Sequence, residues 1–95
     1  MFIILLNYIR PVEEVDAVIP AHIDYLERYY QLDKFVLSGR KRPRTGGVIL
    51  CQAKDKEEVW TMIAEDPFFI KKVADYDVLE FLPTKTAVGL ERYLV

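Results

Sequence analysis

The chain opens on a segment that is apolar on both sides. In Phe2 to Ile9, Phe2, Ile4, Leu6 and Tyr8 point one way, and Ile3, Leu5, Asn7 and Ile9 the other. β-Branched and aromatic residues with no breaker before Pro11 predict a strand. Pro11 to Asp33 then takes a helical period, with Glu13, Glu14 and Asp16 near the positive end of the helix dipole. Pro20 is expected to kink this segment or split it in two. Phe35 to Arg40 predicts a second strand. Lys41 to Thr45 forms a basic loop, and Gly46-Gly47 opens a third strand, Val48 to Ala53. Asp55 is a fitting N-cap, with Glu57 and Glu58 in the first turn of a helix running to about Glu65. Asp66-Pro67 breaks it, and Pro67 to Val73 forms another short helical piece. Asp75 to Leu82 predicts a fourth strand, ended by Pro83.

This order is β-α-β-β-α-β. It predicts an α+β, ferredoxin-like arrangement in which a four-stranded antiparallel sheet carries its helices on one face. Such a sheet should alternate apolar with polar if its other face meets water. The first strand does not alternate, and neither does Val48-Ile49-Leu50-Cys51. A second cover is therefore expected. The arrangement predicts a homodimer through the sheet face, or edge strands joined into a shared barrel. Burying ~500 Å² of apolar surface per subunit would contribute on the order of 12 kcal/mol before association costs.

Composition narrows the class. At 95 residues the chain makes one domain, with its core at about 1–83 and a tail at 84–95. The apolar fraction, 52%, is slightly high for so small a domain and agrees with self-association. A net charge of −2 offers no general attraction to nucleic acid or to an anionic membrane. The run Phe2 to Leu6 is too short to span a bilayer. One cysteine, Cys51, permits no internal disulfide, and the chain reads as cytoplasmic.

Candidate chemistry centres on His22, the only histidine. Val15, Ile19, His22 and Leu26 follow the spacing of a buried helical stripe. An imidazole on such a stripe is costly unless something hydrogen-bonds it. Asp66 is the candidate partner, because Val59, Met62, Ile63 and Asp66 share one helical face. Such a pair can act as a general acid and base, or it can be a satisfied core group. Asp66 before Pro67 is equally a standard cap for the next helix. Ser38, at the end of the second strand, fits a substrate-binding hydroxyl better than a nucleophile, since no G-x-S-x-G turn surrounds it. Arg40, Lys41, Arg42 and Arg44 form the densest charge cluster. Together they would give an anion-attracting rim over the site, with Gly46 and Gly47 admitting a ligand close to backbone, and Gly39 and Arg44 are taken with them as substrate-binding. The same stretch reads as a solvated hairpin loop, and no aromatic residue is interleaved for nucleic-acid stacking. Tyr25, Tyr29, Tyr30 and Trp60 read as core and interface, and Cys51 as inert packing. One histidine and one strand cysteine are a poor supply of metal ligands, so neither a metal nor a cofactor is expected.

Several short stretches also resemble a known family in order along the chain. They are the apolar first strand with Tyr8, Ala21-His22-x-x-x-Leu26, Ser38-Gly39, and Pro43-Arg44-Thr45-Gly46-Gly47. Glu65-Asp66-Pro67-Phe68 and Phe81-x-Pro83-Thr84-Lys85 follow. Together they resemble the YciI-like (YCII-related) domain family of the dimeric α+β barrel superfamily. The family often has proline after the glycine of the second strand, where this chain has Arg40. The resemblance implies a ferredoxin-like subunit, a homodimer, and an active site on a histidine and an aspartate, here His22 and Asp66. It also implies small-molecule chemistry. Relatives are linked to dehydrochlorination of a chlorinated hydroxyquinol, and the superfamily includes isomerases and cofactor-free monooxygenases. Two readings follow. One is a small cofactor-independent enzyme in which His22 and Asp66 move a proton on a small cyclic or aromatic metabolite. The other is a non-enzymatic dimeric module that binds a small molecule or a protein, with His22 structural.

Overall fold

The computed structural model describes residues 1–95. Its strands are β1 (Phe2–Tyr8), β2 (Phe35–Arg40), β3 (Gly46–Cys51) and β4 (Ala74–Glu80). Its helices are α1 (Val12–Gln31), α2 (Lys56–Ile63) and α3 (Pro67–Ile70), and a 3-10 turn at Glu91–Tyr93 lies in the tail. The sheet order is β2-β3-β1-β4, and every neighbouring pair is antiparallel. β1 and β2 both run against β3, so they are parallel to each other. β3 and β4 are parallel by the same argument. Two βαβ units therefore interleave, which is the ferredoxin-like α+β topology.

Residue periodicity explains which side the helices cover. Phe2, Ile4 and Leu6 are buried, and across the ladder they face Cys51, Ile49 and Gly47 on β3 and Glu80, Val78 and Tyr76 on β4. Val15, Tyr25 and Tyr29 of α1, Val59, Met62 and Ile63 of α2, and Phe68 of α3 close the core against this face. The alternate residues Ile3, Leu5, Val48 and Leu50 point away from the helices, joined by Leu37 and Leu79, which are 58% and 54% exposed. The second face is thus aliphatic across its middle. No helix is long and apolar enough to cross a membrane.

Pro20 does not divide the first helix. α1 runs unbroken from Val12 to Gln31 with Pro20 inside it. Proline removes the N–H that would bond the Asp16 carbonyl, and both residues lie on the exposed side. Burial of Val15 on one side of the proline and of Tyr25 and Tyr29 on the other keeps the helix continuous through it. Beyond Gln31 the chain turns away at Asp33, whose φ is 60°, while the Lys34 N–H bonds the Tyr29 carbonyl. The remaining boundaries shift slightly from expectation. β1 stops at Tyr8, β3 runs from Gly46 to Cys51, α2 stops at Ile63, and β4 runs from Ala74 to Glu80. Asp55 caps α2 by accepting the Glu58 N–H at 2.9 Å.

Gly46 has a backbone reason to be glycine. A Cβ there would lie 1.8 Å from the Leu6 carbonyl oxygen. Its small size serves the β1–β3 approach. At Gly39 a Cβ meets nothing within 4 Å. Urea denaturation should therefore separate the two. Gly46→Ala is expected to lose about 3 kcal/mol or fail to fold, whereas Gly39→Ala stays within about 0.5 kcal/mol of the native protein. Equal stability of the two variants would contradict this packing.

Candidate active site

His22 lies midway along α1, on the flank that meets α3. Its Nδ1 is 2.7 Å from Oδ1 of Asp66. The imidazole is 13% exposed and the carboxylate is fully buried. Asp66 directly follows the turn that ends α2, with its own N–H on the Ile63 carbonyl, and its side chain caps α3. The capping bond runs from the Phe68 N–H to Oδ1 at 2.9 Å. Oδ2 accepts the Tyr76 hydroxyl at 2.6 Å. Cap and histidine partner are thus one arrangement.

The physical reason for so many donors is the cost of a buried charge. A carboxylate with no water needs hydrogen bonds on both oxygens to remain ionised inside a core. Here three donors converge from α1, α3 and β4. An ionised carboxylate only accepts, so His22 donates through Nδ1. In the neutral ring, Nε2 is then the nitrogen with a free lone pair. Phe68 stacks on the imidazole with ring centroids 3.9 Å apart and planes 1° from parallel, which fixes the ring's tilt. Desolvation, and then the Asp66 charge, push the Tyr76 phenol far above its ordinary range, so it stays a donor. Burial acts likewise on Tyr25, whose hydroxyl donates to the Met62 carbonyl at 2.8 Å.

In front of His22 lies a cavity of about 350 Å³ between α1 and the β2–β3 hairpin. His22, Ser38, Gly39, Arg44, Gly46 and Gly47 all contribute to its wall. These are six of the seven site residues expected from sequence. Asp66, the seventh, sits behind His22 and outside the cavity. The helical stripe also resolves differently from its expectation. Val15 belongs to the core, whereas Ile19, His22 and Leu26 are half-buried and line the cavity.

Ser38 bonds Tyr30, with the two hydroxyl oxygens 2.6 Å apart, rather than His22. No serine–histidine dyad forms. Arg44 pairs with Asp16 of α1 and holds its guanidinium 5.8 Å from the centre of the Tyr8 ring. The Asp16 hydrogen bond raises the Arg44 pKa further, so its charge is permanent. Tyr30 and Trp60 are 36% and 42% exposed and are not core residues, unlike Tyr25 and Tyr29. Cys51 is fully buried packing, its thiol pushed up to about 11 by burial. Lys85 is exposed and away from the cavity.

Sequence reasoning missed Tyr76 and the stacking role of Phe68. A signal for Tyr76 did exist. It alternates with Ala74 and Val78 on the inward side of β4, and a phenol on a buried face must find a hydrogen-bond partner.

Comparison with known proteins supplies two findings. The sequence model of the YCII-related domain family matches residues 1–82. Among solved structures, the chain is similar to the 5-chloro-2-hydroxyhydroquinone dehydrochlorinase TftG of Burkholderia phenoliruptrix AC1100, in complex with 2,5-dihydroxybenzoquinone. The two share 20% identity over 85% of this chain and 93% of that one, with a TM-score of 0.72. That likeness establishes a shared fold. No curated protein matches the chain.

The network around Asp66 sets an order of stabilities. Asp66→Ala leaves the His22 and Tyr76 side chains and the Phe68 N–H without an acceptor, and is expected to cost about 3–5 kcal/mol. Tyr76→Phe removes one donor and should cost about 1–3 kcal/mol. Denaturant titration of both variants checks the ranking. A Tyr76→Phe protein as stable as the native chain would show that the phenol does not support the carboxylate.

Proposed function

We propose that this chain, which belongs to the YCII-related domain family, is a small enzyme that moves a proton on a small cyclic or aromatic metabolite. The observation that carries this reading is the direction of the His22 bond. Nδ1 is held by a fully buried carboxylate, and the ring beyond it forms part of a cavity wall. Nε2 then acts as general base. Asp66 orients the ring and stabilises the imidazolium formed when Nε2 takes a proton. The proton is returned from Nε2 to product or solvent, so the cycle asks only for an imidazole. Ser38 and the Arg44–Gly47 loop orient the substrate, with the Tyr30 hydroxyl fixing that of Ser38.

The cavity suits a single ring. Leu6, Ile19, Ile23 and Leu26 offer apolar walls, and the volume is at the small end for ligand sites. TftG, which shares the fold, is described as a dehydrochlorinase of a chlorinated hydroxyquinol. In an elimination of that class, a base removes a proton while chloride leaves with the bonding electrons. The His22–Asp66 pair is equipped for the proton half of such a step.

The functional unit in this reading is a homodimer. Ile3, Leu5, Leu37, Val48, Leu50 and Leu79 form one aliphatic face that no helix of the chain covers. A second copy packing the same face against it would keep it from water.

Two measurements test these statements. With 5-chloro-2-hydroxyhydroquinone and a panel of halogenated and hydroxylated aromatics, His22→Ala should lower kcat by about 10²–10⁴-fold with native circular dichroism. Unchanged turnover would end the acid/base reading. Ligand binding without turnover across the panel would favour a binding module. Light scattering at micromolar concentration should give twice the chain mass, and Leu50→Asp should lower it. A native protein at the mass of one chain would overturn the dimer.

A further inference from the structure

The cavity wall contains arginine but no carboxylate. Its charged or titratable members are His22, Arg40, Arg44 and Tyr8, with no aspartate or glutamate among the lining residues. Two of the four are already engaged. His22 is paired with Asp66, and Arg44 with Asp16. Arg40 stands apart, because no carboxylate lies within ion-pair distance of it.

Strand register places Arg40 with the site. On β2, Ser38 faces Ile49 and Arg40 faces Gly47, and Ile49 belongs to the buried face. Residues two apart on a strand project from the same side. Ser38 and Arg40 therefore both project towards the helices. A permanent cation beside apolar walls raises the local concentration of anions. A guanidinium fork also matches a carboxylate or a pair of vicinal oxyanions better than an ammonium does.

We propose that the substrate of this site is a small ring compound bearing an anionic group, and that Arg40 binds that group while His22 handles the proton. This deepens the acid/base reading and rests on it. The anion completes the one unpaired charge on the wall, and the ring occupies the apolar space between Arg40 and the imidazole. Arg40 thereby determines specificity. It separates an acid from the corresponding neutral amide of the same shape.

The test uses matched probes and native protein. Benzoate is compared with benzamide, and 4-hydroxybenzoate with 4-hydroxybenzamide, by NMR titration up to millimolar concentration, with the His22 ring signals as the reporter of site. The acids should bind at least tenfold more tightly than the amides. Arg40→Gln should remove that preference and leave amide binding unchanged. Arg42→Gln makes the same change in net charge from outside the cavity wall, and should keep the preference. Equal binding of acid and amide to the native protein, with His22 shifting, would overturn the anion proposal and leave the acid/base reading standing. Equal loss from Arg40→Gln and Arg42→Gln would replace a specific contact with general charge, and would also overturn it. If no probe of either kind shifts His22, the anion proposal is overturned, and the acid/base reading is decided by the turnover measurement alone.

Discussion

Everything that positions the candidate site depends on one buried carboxylate. Asp66 has no solvent contact, so each of its oxygens must be occupied by a donor supplied by the fold. Those donors come from a helix, a helix start and a strand far apart in sequence. His22 arrives from α1, the Phe68 N–H from α3, and Tyr76 from β4. The requirement to satisfy a single charge thus fixes how three elements meet. It also fixes which imidazole nitrogen is committed and which is left free.

The sheet divides its labour by strand parity. One set of alternating residues, Phe2, Ile4 and Leu6, builds the core that supports Asp66. The other set, Ile3 and Leu5 with Val48 and Leu50, leaves an aliphatic face with no helix upon it. The cavity lies where the first face runs out, towards the β2–β3 hairpin. There Gly46 draws β3 close to β1, and side chains give way to glycine backbone.

Much of this was legible from the residues because local chemistry and fold agree. Phe35 to Arg40 reads as a strand and is one. Asp55 reads as a cap and accepts the Glu58 N–H. Asp66 reads both as a cap and as the partner of His22, and a single oxygen, Oδ1, serves both bonds. The failures have physical causes. Pro20, read as a kink or a split, does not split α1, because propensity counts a missing donor but not the buried tyrosines beyond it. Tyr76 reads as an ordinary strand former because periodicity reveals the face of a residue, not the partner of its hydroxyl. Of the four aromatics read as core and interface, Tyr30 and Trp60 fall outside the core, because aromatic character alone does not say which side of a helix is covered.

The energetic oddity of the network bears on its purpose. Leucine and phenylalanine at positions 22, 66 and 76 would close this core without desolvating a charge, and replacing a buried ion pair with apolar residues is often neutral or stabilising. A bare packing requirement therefore does not call for histidine, aspartate and tyrosine together. The network also extends beyond packing. It engages Nδ1 and stacks the ring on Phe68, and His22 lines a cavity whose wall holds cations and no carboxylate. Polar groups in a core break its local rules, and here the hydrogen bonds on Asp66 compensate for the breach. A structural histidine needs only a partner, whereas this one has a partner on its buried side and a cavity in front. That asymmetry is the support for the acid/base reading of His22 proposed above.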